Sequence, residues 1–156
     1  MMSADLEIVQ GEESLYDVVA YGIWCLDGVA FKGCESAYAF LDELYSEQPD
    51  VGGDPGWTIE RIELGEGFEK SRPYLNGQPL EDLKELQRRG EKEAFWIENI
   101  DAEPSLCTYS SEAFWRAVRK SLLAYGRDNP KRQPEVEEAF RRYSQLGSLP
   151  HPPFEP

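Results

Sequence analysis

The stretch Ala94-Phe95-Trp96-Ile97, followed by Ile100, is a continuous apolar run without a breaker. A short apolar run with no alternation is typical of a strand that is buried on both faces. We therefore predict that this segment is the most buried strand of the protein. The remaining elements are placed outward from it.

A second strand is predicted over residues 57–64, which are rich in β-prone side chains. Its alternation slips between Ile59 and Ile62, and either a bulge or burial on both faces would account for the slip. Residues 48–56 before it are turn formers throughout, so they are predicted to form a loop. Further towards the N-terminus, Asp27-Gly28 separates two short β-prone runs, a pattern that predicts a hairpin over residues 23–32.

Amphipathic helices are predicted where apolar residues recur every three to four positions, because that spacing places them on one helix face. Ser110 or Ser111 can cap one of these helices, since a serine oxygen accepts a hydrogen bond from a backbone N–H of the first turn. The predicted helices cover residues 14–21, 34–47, 80–89, 110–125 and 134–147.

The mixture of strands and helices lacks the regular β-α-β rhythm of a doubly wound fold. We therefore predict an α+β fold: a small, mainly antiparallel sheet with packed helices and a helical C-terminal third. A chain of 156 residues suits one domain, which we assign to residues 1–148. Residues 149–156 are rich in proline and are predicted to be an extended tail.

The charge is strongly negative and unevenly distributed. The chain carries a net charge of -14; residues 1–80 hold 16 acidic and four basic side chains, whereas residues 81–156 hold 14 and 12. Such a field repels nucleic acid and anionic lipid and attracts basic surfaces. We therefore predict a protein partner with a basic surface, and neither nucleic acid nor membrane as a partner. Acidity is also an ordinary route to solubility.

Several sequence features favour a cytoplasmic location. No run of 18 apolar residues is present, and the N-terminus has neither the basic nor the apolar region of a secretory signal. The three cysteines (Cys25, Cys34 and Cys107) are odd in number and widely spaced, so a disulfide framework is not expected and a reducing compartment is favoured. We interpret them as small buried apolar residues.

Residues suited to catalysis are sparse. The single histidine, His151, lies among prolines in the predicted tail, where nothing would hold an imidazole for nucleophilic catalysis. Three separated cysteines and one remote histidine do not match the clustered ligands of a zinc site. We therefore predict no catalytic residue, no metal and no cofactor, with a carboxylate-dependent enzyme as the remaining enzymatic alternative.

The strongest constellation is acidic. Carboxylates that steer a basic partner, together with an aromatic anchor, suit a docking surface. The alternative is a solvated helix face and loop, with the tryptophan in the core. The predicted partner-binding residues are Asp42, Glu43, Glu47, Asp50, Asp54 and Trp57.

Basic side chains concentrate near the other end of the chain. Residues 116–142 hold eight basic and four acidic side chains. They could form a phosphate-binding face, or they could complement the acidic half of the same molecule. The negative field of the whole chain favours the second interpretation.

In its size, acidity, α+β layout and lack of catalytic groups, the chain resembles bacterial immunity proteins, which bind and block a toxin. The resemblance implies an antitoxin-like inhibitor that occludes a basic partner, and residues 42–57 would be its counterpart of a toxin-blocking surface. One alternative is a nucleic-acid-mimicking anti-restriction or anti-CRISPR protein of a phage. The other is the carboxylate-dependent enzyme named above.

Overall fold

The structure is a computed structural model, and it describes Val19 and residues 37–53, 56–100 and 106–149. The predicted hairpin over residues 23–32, Cys25, Cys34 and most of the predicted tail lie outside these residues. Of the helix predicted over residues 14–21, only Val19 is described; it is helical and buried.

A four-stranded antiparallel sheet lies at the centre of the fold, and its strands follow one another in chain order. The predicted stretch around Phe95 forms the third strand, which pairs on both sides. The α+β prediction is therefore confirmed. The strands are β1 (Asp50–Gly53), β2 (Trp57–Glu63), β3 (Glu93–Asn99) and β4 (Leu106–Ser110).

Helices pack on both faces of this sheet, and the C-terminal third is helical as predicted. The described residues also include three short 3-10 helices: Phe68–Ser71, Pro130–Arg132 and Ser144–Leu146. The α-helices are α1 (Ala39–Leu44), α2 (Gly77–Arg88), α3 (Ser111–Asp128) and α4 (Gln133–Arg142). None of these helices combines the length and the apolar character that crossing a bilayer requires.

Two hydrophobic clusters explain the irregular alternation in β2. Ile59 faces α1, α3 and α4, whereas Ile62 faces α2 and the segment around Phe68. The pairing between β2 and β3 is continuous over seven residues, so the strand contains no bulge. Around Ile59 and Ile62 both faces of the sheet are covered, which accounts for apolar residues at odd and even positions.

The loop predicted over residues 48–56 is wrong for residues 50–53, which form the edge strand β1 against β2. A glycine is required at position 52, because a Cβ there would lie 2.7 Å from the carbonyl oxygen of Trp57. Turn-forming residues thus pair here because β2 offers a partner, and local preference is overridden.

The helix boundaries differ from the predictions by a few residues. The described part of α1 ends at Leu44 instead of residue 47, and α2 begins at Gly77 instead of residue 80. The serine cap is confirmed: the Oγ of Ser110 accepts a hydrogen bond from the N–H of Ala113 at 3.2 Å. The helix α3 then continues through the buried Gly126, where the sequence predicted a stop.

Candidate functional site

The predicted acidic residues lie at the end of α1 and at the start of β1. Glu43, Glu47 and Asp50 are exposed, and no basic side chain of the described residues lies within 4 Å of their carboxylates. These three residues are called the acidic segment below. Asp54 lies outside the described residues.

Asp42 does not belong to this exposed set, because it is paired within the molecule. It accepts a hydrogen bond from Arg142 Nη2 at 3.0 Å and another from the hydroxyl of Tyr143. Burial, followed by the contact with Asp42, raises the pKa of Tyr143. The carboxylate of Asp42 therefore ties α1 to the end of α4 and contributes less than its neighbours to an outward negative field.

Trp57, the predicted aromatic anchor of the partner-binding surface, lies in the core. The side chain is only 1% exposed and belongs to the core cluster that also contains Ile59 and Ile97. The reason is that side chains alternate between the two faces of a strand. Trp57 and Ile59, two positions apart, therefore share the face of β2 that packs against α1, α3 and α4. Trp57 is therefore a core residue and not a surface anchor.

An exposed aromatic residue does lie within the acidic segment, and it is Tyr45. Its side chain stands between Glu43 and Glu47 in sequence and is 36% exposed. Tyr45 continues the apolar spacing of the helix predicted over residues 34–47, but α1 ends one residue before it. The signal that could have identified it is its position at the last turn, directly between two glutamates.

Tyr45 is held in place by charged neighbours. Its hydroxyl donates to both oxygens of Glu93, at 3.1 and 3.0 Å, and the Arg61 guanidinium lies 4.4 Å from the centre of its ring. Glu93 also accepts from the Oγ of Ser111 at 3.1 Å. Burial and the charge of Glu93 raise the pKa of Tyr45, so the hydroxyl stays protonated and remains a donor at neutral pH.

The basic C-terminal third is paired mainly with itself. The ion pairs Arg116–Glu112, Arg132–Glu135 and Arg141–Glu138 each join residues three or four positions apart. Among the described residues, only Arg142–Asp42 links a base of residues 116–142 to an acid of the first 80 residues. Among the described acids of the first 80 residues, these bases therefore complement Asp42 and form no ion pair with Glu43, Glu47 or Asp50.

An open groove of about 410 Å³ lies beside α3. Two arginines contribute to it, but both are engaged: Arg116 pairs with Glu112, and Arg119 donates to the carbonyl oxygens of residues 146 and 148. The groove thus concentrates little uncompensated positive charge. Its lining residues are Ser111, Glu112, Trp115, Arg116, Arg119 and Gln145.

No family model matches the chain, and neither curated proteins nor solved structures give a significant match. The resemblance to immunity proteins therefore stays a prediction from the sequence.

Proposed function

We propose that this chain is a cytosolic acidic binding protein of the immunity or inhibitor type, which neutralises a toxin or another basic protein by occluding its active surface. The observation that carries the proposal is the acidic segment: three exposed carboxylates within eight residues, with no basic side chain of the described residues within 4 Å. Tyr45 lies among them and is oriented by Glu93.

Exposed carboxylates that are not paired internally act on a partner in two ways. At a distance they accelerate encounter with a basic surface, and at contact they pair with lysine or arginine. A carboxylate already engaged within the molecule, such as Asp42, offers less of either effect. The exposure of Glu43, Glu47 and Asp50 close together in the chain therefore supports a role in recognition.

The rigidity of Tyr45 supports the same role. A tyrosine offers a large contact area at a low entropic cost, and the cost falls further when the side chain is already fixed before binding. Hydrogen bonds to Glu93 and the contact with Arg61 provide that fixation here. Tyr45 thus replaces Trp57 as the aromatic anchor in the proposed contact surface.

The test is binding to the purified product of the gene adjacent to this one, measured by titration calorimetry and stopped-flow mixing at two salt concentrations. The variant Glu43→Lys with Glu47→Lys is compared with Glu66→Lys with Asp128→Lys. Glu66 and Asp128 are also exposed, and no basic described side chain lies within 4 Å of either. Both variants change the net charge equally.

We expect the first variant to bind at least about tenfold more weakly, mainly through slower association, and we expect less loss at high salt. The control variant should retain affinity within about twofold. Equal losses in both variants would show that only the total charge matters, and no loss in either would remove the acidic segment from the contact surface. Absence of any binding to the adjacent gene product would contradict the immunity proposal itself.

A further inference from the structure

On the face of the sheet that carries α2, the described residues cover one end more completely than the other. Strand register places its residues in successive rows across the sheet. The first row, with Ile62 and Ala94, is fully buried beneath α2. In the next two rows Glu60 and Thr108 are also buried, Trp96, Thr58, Glu98 and Leu106 are half-buried, and Asp50 and Gly52 are exposed. Together these two rows are called the open face. Its rows are Asp50, Glu60, Trp96 and Thr108, then Gly52, Thr58, Glu98 and Leu106.

An exposed aromatic side chain stands over the first of these rows. Tyr74 is 48% exposed, and its ring centre lies 5.6 Å from that of Trp96. Its hydroxyl donates to both oxygens of Glu60 at 2.6 Å. Tyr74 is therefore fixed from two sides and still presents half of its surface to solvent, which is the character of an interface anchor.

The second row is shallow and partly apolar. Gly52 is exposed and has no side chain, and the backbone of Trp57 leaves no room for one. At the same end of the sheet, Ile100 is 63% exposed. Leu106 is half-buried. The row thus combines the bare backbone of Gly52 with the half-buried side chains of Thr58, Glu98 and Leu106.

The charge on the open face is negative. Glu60 is compensated by Arg72, whose Nε lies 3.1 Å from its carboxylate. For Asp50 and Glu98, no basic side chain of the described residues lies within 4 Å. Asp50 is also directly opposite Glu60 in the strand register. The carboxylates of Asp50 and Glu98 therefore carry the negative charge with which this face attracts a basic partner.

We infer that the open face binds an extended segment of a protein partner in which two basic residues flank an apolar one. The inference rests on the proposed function for the basic character of the partner, and Asp50 belongs to both surfaces. Asp50 and Glu98 are two strands and two residues apart, or about 12 Å. Side chains four positions apart on an extended chain span about 13 Å and share one side. The basic residues then meet the two carboxylates, and the apolar residue between them packs beside Tyr74.

The probe for this inference is a short peptide whose centre reads Lys-Ser-Leu-Ser-Lys. Two control peptides replace both lysines with glutamate, or the leucine with serine. Binding is followed through the indole N–H signals of the isotope-labelled protein, and the signal of Trp96 is assigned with Trp96→Phe. We expect a saturable shift of the Trp96 signal with the first peptide and at least about tenfold weaker binding of both controls.

Two variants of the protein test the assignment. Glu98→Lys and Tyr74→Ala should each weaken peptide binding at least about tenfold. Glu66→Lys, in the turn that follows β2, should change the peptide affinity less than about twofold. Glu98 is only partly buried, so a lysine is expected to be tolerated at this position. Glu98→Lys therefore still tests the inference if Tyr74→Ala does not fold. Equal shifts with the glutamate peptide, or no saturable shift, would overturn the inference.

The two proposals can fail separately. Glu43→Lys with Glu47→Lys should leave peptide binding unchanged and weaken the adjacent gene product. Loss of partner binding in that variant without any peptide binding would retain the acidic segment and remove the open face. If the peptide binds but Glu43→Lys with Glu47→Lys does not weaken the adjacent gene product, the open face is retained and the acidic segment is removed from the contact surface.

Discussion

Asp42 and Arg142, which are 100 residues apart in the chain, form an ion pair with a distance of 3.0 Å. The pair joins α1 to the end of α4, and Arg142 also lies over the ring of Tyr38. One predicted member of the acidic surface is thereby used for internal contact. The pair also gives the first prediction.

We expect a double-mutant cycle of Asp42→Ala and Arg142→Ala to give a coupling energy of about 0.2–1 kcal/mol, because both side chains are nearly half exposed. Chemical denaturation at low and high salt would measure it, and the coupling should shrink as salt screens the charges. Strictly additive effects at low salt would mean that the pair contributes nothing to stability.

The burial of Trp57 predicts a structural and not a binding phenotype. Trp57→Ala should reduce the free energy of unfolding by about 3–5 kcal/mol, since it opens a large cavity in the core. Glu47→Ala, on the exposed surface, should change it by less than about 0.5 kcal/mol. Urea denaturation followed by circular dichroism measures both values. Comparable losses for the two variants would be inconsistent with the core position of Trp57.

Glu93 is expected to matter for stability because it accepts hydrogen bonds from three elements. Glu93→Ala leaves the Ser111 hydroxyl and the Arg61 guanidinium without this acceptor, and it should cost about 1–3 kcal/mol. Tyr45→Phe removes only one donor and should cost about 0.5–1.5 kcal/mol. Thermal and urea unfolding of both variants would measure the two losses of stability. A larger loss for Tyr45→Phe than for Glu93→Ala would contradict the prediction.

The environment of Tyr74 leads us to expect that the free energy of unfolding depends on pH in the alkaline range. Burial and the hydrogen bond to Glu60 raise its pKa to about 12 from an ordinary value near 10. The unfolded state then releases its proton first, so this contribution is complete below pH 10 and is lost as the pH rises from about 10 through 12. The comparison is urea unfolding of the native protein and of Tyr74→Phe across this range. A pH dependence that Tyr74→Phe leaves unchanged would count against the contact with Glu60.

Local patterns predicted several elements well. The uninterrupted run at Phe95 and the serine before Ala113 each carry their own physical reason, namely burial on both faces and capping of a helix. Both became structure as predicted. The cap succeeds because its two residues lie three positions apart, and the strand succeeds because an uninterrupted apolar run suits burial whichever elements cover its two faces.

The candidate site was predicted less well, because its geometry depends on distant contacts. Glu43, Glu47 and Asp50 were predicted to be exposed acids, and they are. Tyr45 was missed because the contact that holds its side chain is with Glu93, which is 48 residues away. No local signal reports such a contact.

The amino-acid sequence alone determined the fold class, the main strands and helices and the excess of acid in the first half of the chain, since these follow from periodicity and composition. Only the tertiary structure decided that Asp50–Gly53 pairs as an edge strand, that Trp57 faces the core, and that Asp42 meets Arg142. The physical reason is that strand pairing, the burial of a side chain and the formation of an ion pair each depend on residues that are far apart in the chain. These contacts exist only once the sheet and its helices have assembled.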